Sequence, residues 1–178
     1  MNSSEKIILI DADVVSHFII AGEVLYLPKI FPYKIYVLDK VMKELERFPK
    51  RKVEVDNLIN LKLLFPMDFP EKEHEILKEY LWIRKSRFYG EGESACLAVA
   101  KHHKNIVASN NLRDVKEYCK MHSIVYLTTM HFLCYALQKG VFDEERCDRF
   151  IHTVRTEGGK LPVWKMADYG CSTEWKFD

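Results

Sequence analysis

Four stretches of the chain set carboxylates beside apolar or small residues, where an unpaired charge is costly. Asp11 and Asp13 directly follow the apolar run Ile7-Ile8-Leu9-Ile10. Glu44 has Val41 three residues before it and Phe48 four after it, so on a helix it shares a stripe with apolar side chains. Glu93 follows Gly90 and Gly92, and Cys96, Leu97 and Ala100 lie on its helical face. Ser109-Asn110-Asn111 ends a further apolar run, with Asp114 one helical turn later. If these acids converge without matching bases, they repel one another unless cations neutralise them. Oxygen-only donors select hard ions, Mg²⁺ or Mn²⁺, which hold phosphates and activate water for in-line attack on a phosphodiester.

Each feature also has a plainer reading. Asp11 or Asp13 can cap a helix, and Glu44 can reach solvent or pair with Lys40. Glu91 and Glu93 can be first-turn acids favoured by the helix dipole. Ser109 to Asp114 can be an ordinary capping turn. Adjacent residues on a helix face different ways, so His102-His103 reads as a surface pair rather than a metal site. The stretch Gly90-Glu91-Gly92-Glu93-Ser94 lacks the lysine of a phosphate-binding loop and the central serine of a nucleophile elbow.

Regular elements must position these groups. Ile7–Ile10 suits a strand buried on both faces, with a helix after it through Ile20. A second strand is expected over Lys34–Leu38, then a helix from Lys40 to Phe48 capped by Asp39 and stopped by Pro49. Helices are expected over Val53–Asn60 and Lys72–Lys85, with a short strand over Leu61–Phe65 between them. After the Gly90 turn come a helix from Ser94 to His103, a strand over Ile106–Ala108 and a helix from Arg113 to Met121. A strand over Ile124–Leu127 and helices over Met130–Lys139 and Asp143–Arg155 complete the series. The alternation argues for an α/β fold: three layers, α/β/α, around a mainly parallel sheet of about five strands. Ligands in such sheets bind beyond the carboxyl ends of the strands, where Asp11 and Ser109 fall. Residues 1–156 read as one domain and 157–178 as a turn-rich tail.

The chain has 178 residues, with 27 Lys and Arg against 26 Asp and Glu, a formal charge of +1. That balance excludes a generically basic nucleic-acid coat protein while leaving room for a local basic patch. The five cysteines are scattered with no CxxC pair, suggesting neither a zinc knuckle nor a disulfide framework. The uncharged stretch Ser123 to Gln138 is too short and polar to span a bilayer, and no secretory signal is evident. The expectation is a soluble protein of the reducing cytoplasm with no membrane contact.

In order and spacing, Ile7 to Val15, Val41 to Leu45, Gly90 to Ala95 and Ser109 to Asp114 resemble the motifs of PIN-domain ribonucleases, including toxins of the VapBC toxin–antitoxin type. The resemblance covers roughly residues 5 to 135. It implies metal-dependent hydrolysis of single-stranded RNA, with Asp11 and Glu93 holding the principal Mg²⁺ or Mn²⁺. Glu44 and Asp114 would complete the site directly or through water, and Ser109 would orient a carboxylate or water. Asn111 departs from the acid usual in the fourth motif, which leaves one ion or two, and Asp13 stands as a supporting acid. The resemblance also implies a homodimer and, for a toxin, a cognate antitoxin protein. For RNA, a positive rim is needed. The candidates are Arg84-Lys85-Ser86-Arg87, which adjoins the Gly90 turn with Phe88 and Tyr89 able to stack on bases, and Lys50-Arg51-Lys52, which reads first as a solvated helix end.

Two alternatives remain. Asp11-Ala12-Asp13-Val14-Val15 also fits the first motif of a haloacid-dehalogenase-like phosphatase, with Asp11 as nucleophile and Asp13 as general acid/base. The later GDxxxD motif is missing, and Glu44 and Glu93 would have no role. A PIN-like fold with a degraded metal site could instead serve as an RNA- or protein-binding scaffold.

Overall fold

The computed structural model describes residues 6–87 and 90–172; the side chains of Arg87, Leu112 and Asp114 lie outside the described set. Five strands form one all-parallel sheet in the order β3-β2-β1-β4-β5, flanked by helices in three layers, α/β/α. The strands are β1 (Ile8–Ile10), β2 (Ile35–Leu38), β3 (Phe65–Met67), β4 (Ile106–Ala108) and β5 (Tyr126–Leu127). Ile8, Leu9 and Ile10 are fully buried, as an unbroken apolar run requires when helices cover both faces. Burial of each such side chain contributes roughly 1.5–3 kcal/mol. β1 lies centrally between β2 and β4, pairing Ile8 with both Ile35 and Ile106. The strand order reverses at β1, so the crevice opens between the ends of β1 and β4.

Helix α1 (Ala12–Ile20) follows β1, and α3 (Asp39–Leu45) follows β2. α4 (Pro49–Asn60) and α5 (His74–Arg87) flank β3, and α6 (Glu91–His103) leads into β4. α7 (Leu112–Met121), α8 (Thr129–Gln138) and α9 (Glu144–Thr156) complete the shell, with a short α2 (Leu27–Ile30) that the sequence pattern does not announce. α6 is buried along nearly its whole length, packing on α3 and α5 as well as on the sheet.

Several boundaries differ from expectation, each for a local reason. Leu61–Phe65 is largely not strand: Lys62 adopts a left-handed φ of 57°, and the N–H groups of Leu63 and Leu64 both donate to Leu58 O to close α4. β3 therefore begins only at Phe65, and it carries Pro66, which an edge strand tolerates. β5 is shortened in the same way by Ser123, with φ 53°, and by Ile124 N–H bonding back to Cys119 O. Asp39 is the first residue of α3 rather than its cap; its Oδ1 accepts from Lys40 N at 2.8 Å and from Phe69 N at 3.0 Å. α6 starts at Glu91, so Gly92 lies inside the helix, not in the preceding turn.

The cysteine reading needs correction. Cys134 on α8 and Cys171 in the tail form a disulfide, while Cys96, Cys119 and Cys147 are free and buried. Scattered spacing gave no sign of it, because the tail returns across the molecule to meet α8. A disulfide also removes the cysteine argument for a reducing compartment. Residues 157–172 are packed on the domain: Leu161 and Met166 are buried, Arg155 donates to Leu161 O, and Gln138 Nε2 donates to Ser172 O at 2.6 Å. No helix among the described residues is long and apolar enough to cross a membrane.

Candidate functional site

Asp11 occupies the first position after β1. Its Oδ1 accepts from Ala12 N at 2.8 Å, so it does cap α1, yet only 7% of it is exposed. Ser109, directly after β4, lies on the other side of the crevice. Its Oγ stands 3.1 Å from Glu93 Oε1 and 3.5 Å from Asp11 Oδ2, so one hydroxyl bridges the two carboxylates. Asn111 begins α7 without using its side chain as a cap; its Nδ2 donates instead to Glu93 Oε2 at 3.1 Å. Glu93 is 5% exposed and is held by both partners in the first turn of α6.

Glu44 reaches the same place from α3. Its Oε1 accepts from Gly92 N at 2.9 Å, a carboxylate on the N-terminus of α6, where the helix dipole favours it. The two glycines make room for it. A Cβ at Gly90 would stand 2.9 Å from Glu44 Oε1, and one at Gly92 would stand 2.8 Å from Val41 Cγ2. Lys40 is not its partner, because it pairs with Glu71 at 3.0 Å.

Asp13 supports the arrangement from α1. Its Oδ2 accepts from Asn110 N at 3.0 Å, whereas its Oδ1 is buried without a partner. Asn110 was missed as a site residue because an Asn in a turn has many ordinary uses. Its Oδ1 accepts from Thr129 N and its Nδ2 donates to Thr129 Oγ1, both at 2.9 Å, tying the β4–α7 turn to α8. His17 Nδ1 lies 3.0 Å from Thr129 Oγ1 beneath them.

Charge at the crevice is strained. Burial pushes the Asp11 carboxyl well above its ordinary value, and Asp13, Glu93 and Glu44 add to the shift. Burial raises Asp13 to about 6 and Glu93 to about 7, the latter opposed by the hydrogen bonds from Asn111 and Ser109. His17 is pushed down to about 4 by burial and then by the charge of Arg51.

The carboxylates of Asp11, Asp13, Glu44 and Glu93 line one open cleft of about 470 Å³ with Asn111. Arg47, Phe48 and Arg51 line the same cleft. Thus Asp11, Asp13, Glu44, Glu93, Ser109 and Asn111 come together as expected. Asp114 falls in the first turn of α7, its side chain outside the described residues. Arg84 and Lys85 lie on α5 and do not line the cleft; Arg87's side chain, Phe88 and Tyr89 lie outside the described set. The basic residues that do line the cleft are Arg47 and Arg51, the latter from the run that reads as a solvated helix end.

The donor chemistry fits a hard divalent cation: every side chain on the acidic wall offers oxygen, and a buried carboxylate oxygen has no partner. As the side chains stand, no three His, Cys, Asp or Glu among the described residues are gathered tightly enough to ligate one ion. Compared with known proteins, the chain matches no family model, no curated protein and no solved structure at the required significance.

Proposed function

We propose that the cleft hydrolyses phosphodiester bonds of single-stranded RNA with Mg²⁺ or Mn²⁺, as the resemblance to PIN-domain ribonucleases implies. The observation that carries the reading is the convergence of Asp11, Asp13, Glu44 and Glu93 at the strand-order reversal, with three of the four carboxyls raised by burial and mutual repulsion. When bound, a divalent cation supplies a Lewis acid that polarises a phosphoryl oxygen and makes water acidic enough to attack phosphorus.

Asp11 and Glu93 are the residues to hold it, with Glu44 and Asp13 next to them. Ser109 and Asn111 orient the Glu93 carboxylate through one hydrogen bond to each of its oxygens. Asn110 fixes Asp13 and the turn carrying Ser109, so the two sides of the crevice keep their spacing. A carboxylate near pKa 7 can also take or return a proton at neutral pH.

The test is titration calorimetry with Mn²⁺ on wild type and Asp11→Asn, followed by incubation of each with single-stranded RNA. Micromolar-to-millimolar binding is expected in the wild type and none in the variant, with cleavage lost in both Asp11→Asn and Glu93→Gln. A second reading, a nucleic-acid-binding scaffold without catalysis, is favoured by Asn111 and by the loose spacing of the carboxylates. Folded wild type that binds RNA but neither Mn²⁺ nor Mg²⁺, even with RNA present, would establish the scaffold instead.

A further inference from the structure

The basic and aromatic part of the cleft lining has an unusual make-up. Phe48 sits between α3 and α4, immediately before Pro49, and the proline disfavours helical backbone there. Phe48 accordingly takes φ −128° and ψ 76°, outside the helical region at the start of α4, and the residue is 49% exposed. Arg51, one turn into α4, lays its guanidinium 4.5 Å from the Phe48 ring centroid. Arg47 flanks the ring from the other side in sequence and lines the same cleft.

A single exposed aromatic is ordinary on a protein surface. Here, however, two arginines share a cleft with four carboxylates, and neither forms an ion pair with any described residue. Elsewhere the chain pairs its cations readily, as in Arg146 with Glu23 at 2.6 Å and Lys101 with Glu79 at 2.7 Å. Guanidinium groups without an acid partner among the described residues are free for an anion that enters the cleft. A phosphate matches their fork of donors, and an exposed ring backed by a cation offers a stacking face.

We propose that Arg47, Phe48 and Arg51 form a substrate lip that grips a single-stranded polynucleotide, its backbone phosphates on the two guanidiniums and one base stacked on Phe48. The lip rests on the phosphodiesterase reading of the same cleft and adds to it the side from which the strand enters. Sequence tolerance follows, because every base has a stacking face and the phosphates carry no sequence.

Anisotropy of a fluorescein-labelled, mixed-sequence 12-nucleotide RNA, titrated with the full chain in Ca²⁺, tests this. Phe48→Ala should weaken binding about 5- to 100-fold with the salt slope unchanged. Arg47→Gln and Arg51→Gln should each flatten the slope of log K against log salt by about 0.7. Lys160→Gln, which does not line the cleft, should match wild type. Circular dichroism confirms that the variants, none at a buried position, remain folded. Binding of the equivalent DNA supports the lip whether equal or weaker, and the difference reports contact with the 2′-hydroxyl. Wild type that binds no oligonucleotide, or three lip variants that bind like wild type, would overturn the proposal. Cleavage in Mn²⁺, measured separately, keeps the two readings apart. Cleavage with unaffected lip variants removes the lip alone, and lip-dependent binding without cleavage removes the nuclease alone.

Discussion

The amide of Asn111 and the hydroxyl of Ser109 each hold one oxygen of Glu93, and both bonds favour its charged form. Removing one should therefore push the carboxyl above its value of about 7. In the metal-free protein, carbon-detected NMR should find Glu93 titrating near 7 in wild type and higher in Asn111→Ala; titration in the ordinary glutamate range would refute the geometry. The same groups set a pH dependence of stability. Asp13 and Glu93 bind protons more tightly folded than unfolded, so the stability present at low pH is lost as pH rises through about 6 and 7. His17, at about 4, acts oppositely, and its contribution grows only up to the unfolded value near 6.5. His122 and His131, also lowered by burial, act as His17 does. Between about pH 7 and 8 these contributions fade and Tm in EDTA should fall, while Mn²⁺ should reduce the fall; a rising metal-free Tm would contradict this. Asp11, Glu44 and Glu93 were legible from sequence because each pairs an acid with an apolar stripe. Asn110 and Arg51 were not, since a turn amide and a helix-end cation look the same whether or not a cleft lies beneath them.

Between elements, the contact of α3 with the start of α6 decides where Glu44 can sit. The two glycines there should respond differently to substitution. At Gly92 an added methyl meets Val41 Cγ2 at 2.8 Å and Val41 Cα at 3.1 Å, so the helices must part. Gly92→Ala should cost roughly 1–3 kcal/mol in urea denaturation. At Gly90 the methyl meets only the end of the Glu44 side chain, which can rotate away. Gly90→Ala should keep near-wild-type stability and lose Mn²⁺ affinity by calorimetry; equal loss of stability in both would show that the helices, not the carboxylate, are crowded. The buried strands β1, β2 and β4 and most helices were legible because apolar periodicity survives in their sequences. α2 was not, and β3 and β5 were legible as strands but not in their bounds. Their ends depend on left-handed residues at Lys62 and Ser123, neither of them glycine, and on closure bonds that no period records.

Across the whole molecule, the tail is fastened to the domain by Cys134–Cys171 and by contacts along α9. Reduction, or Cys134→Ser, should lower stability by about 2–4 kcal/mol, read as a drop in Tm with dithiothreitol. Because no strand of the sheet belongs to the tail, the reduced protein should keep its far-ultraviolet circular dichroism below that Tm. The central place of β1 carries a consequence in time. Ile106, a partner of Ile8, is made roughly 100 residues after it, an interval of roughly 5–20 s at about 5–20 residues per second. During synthesis Asp11 waits on a half-finished sheet, and Ser109, which joins it to Glu93, arrives after both. If the cleft cuts RNA as proposed, the nascent chain cannot complete it before β4 and Ser109 have emerged, and the message that encodes it would be spared until then.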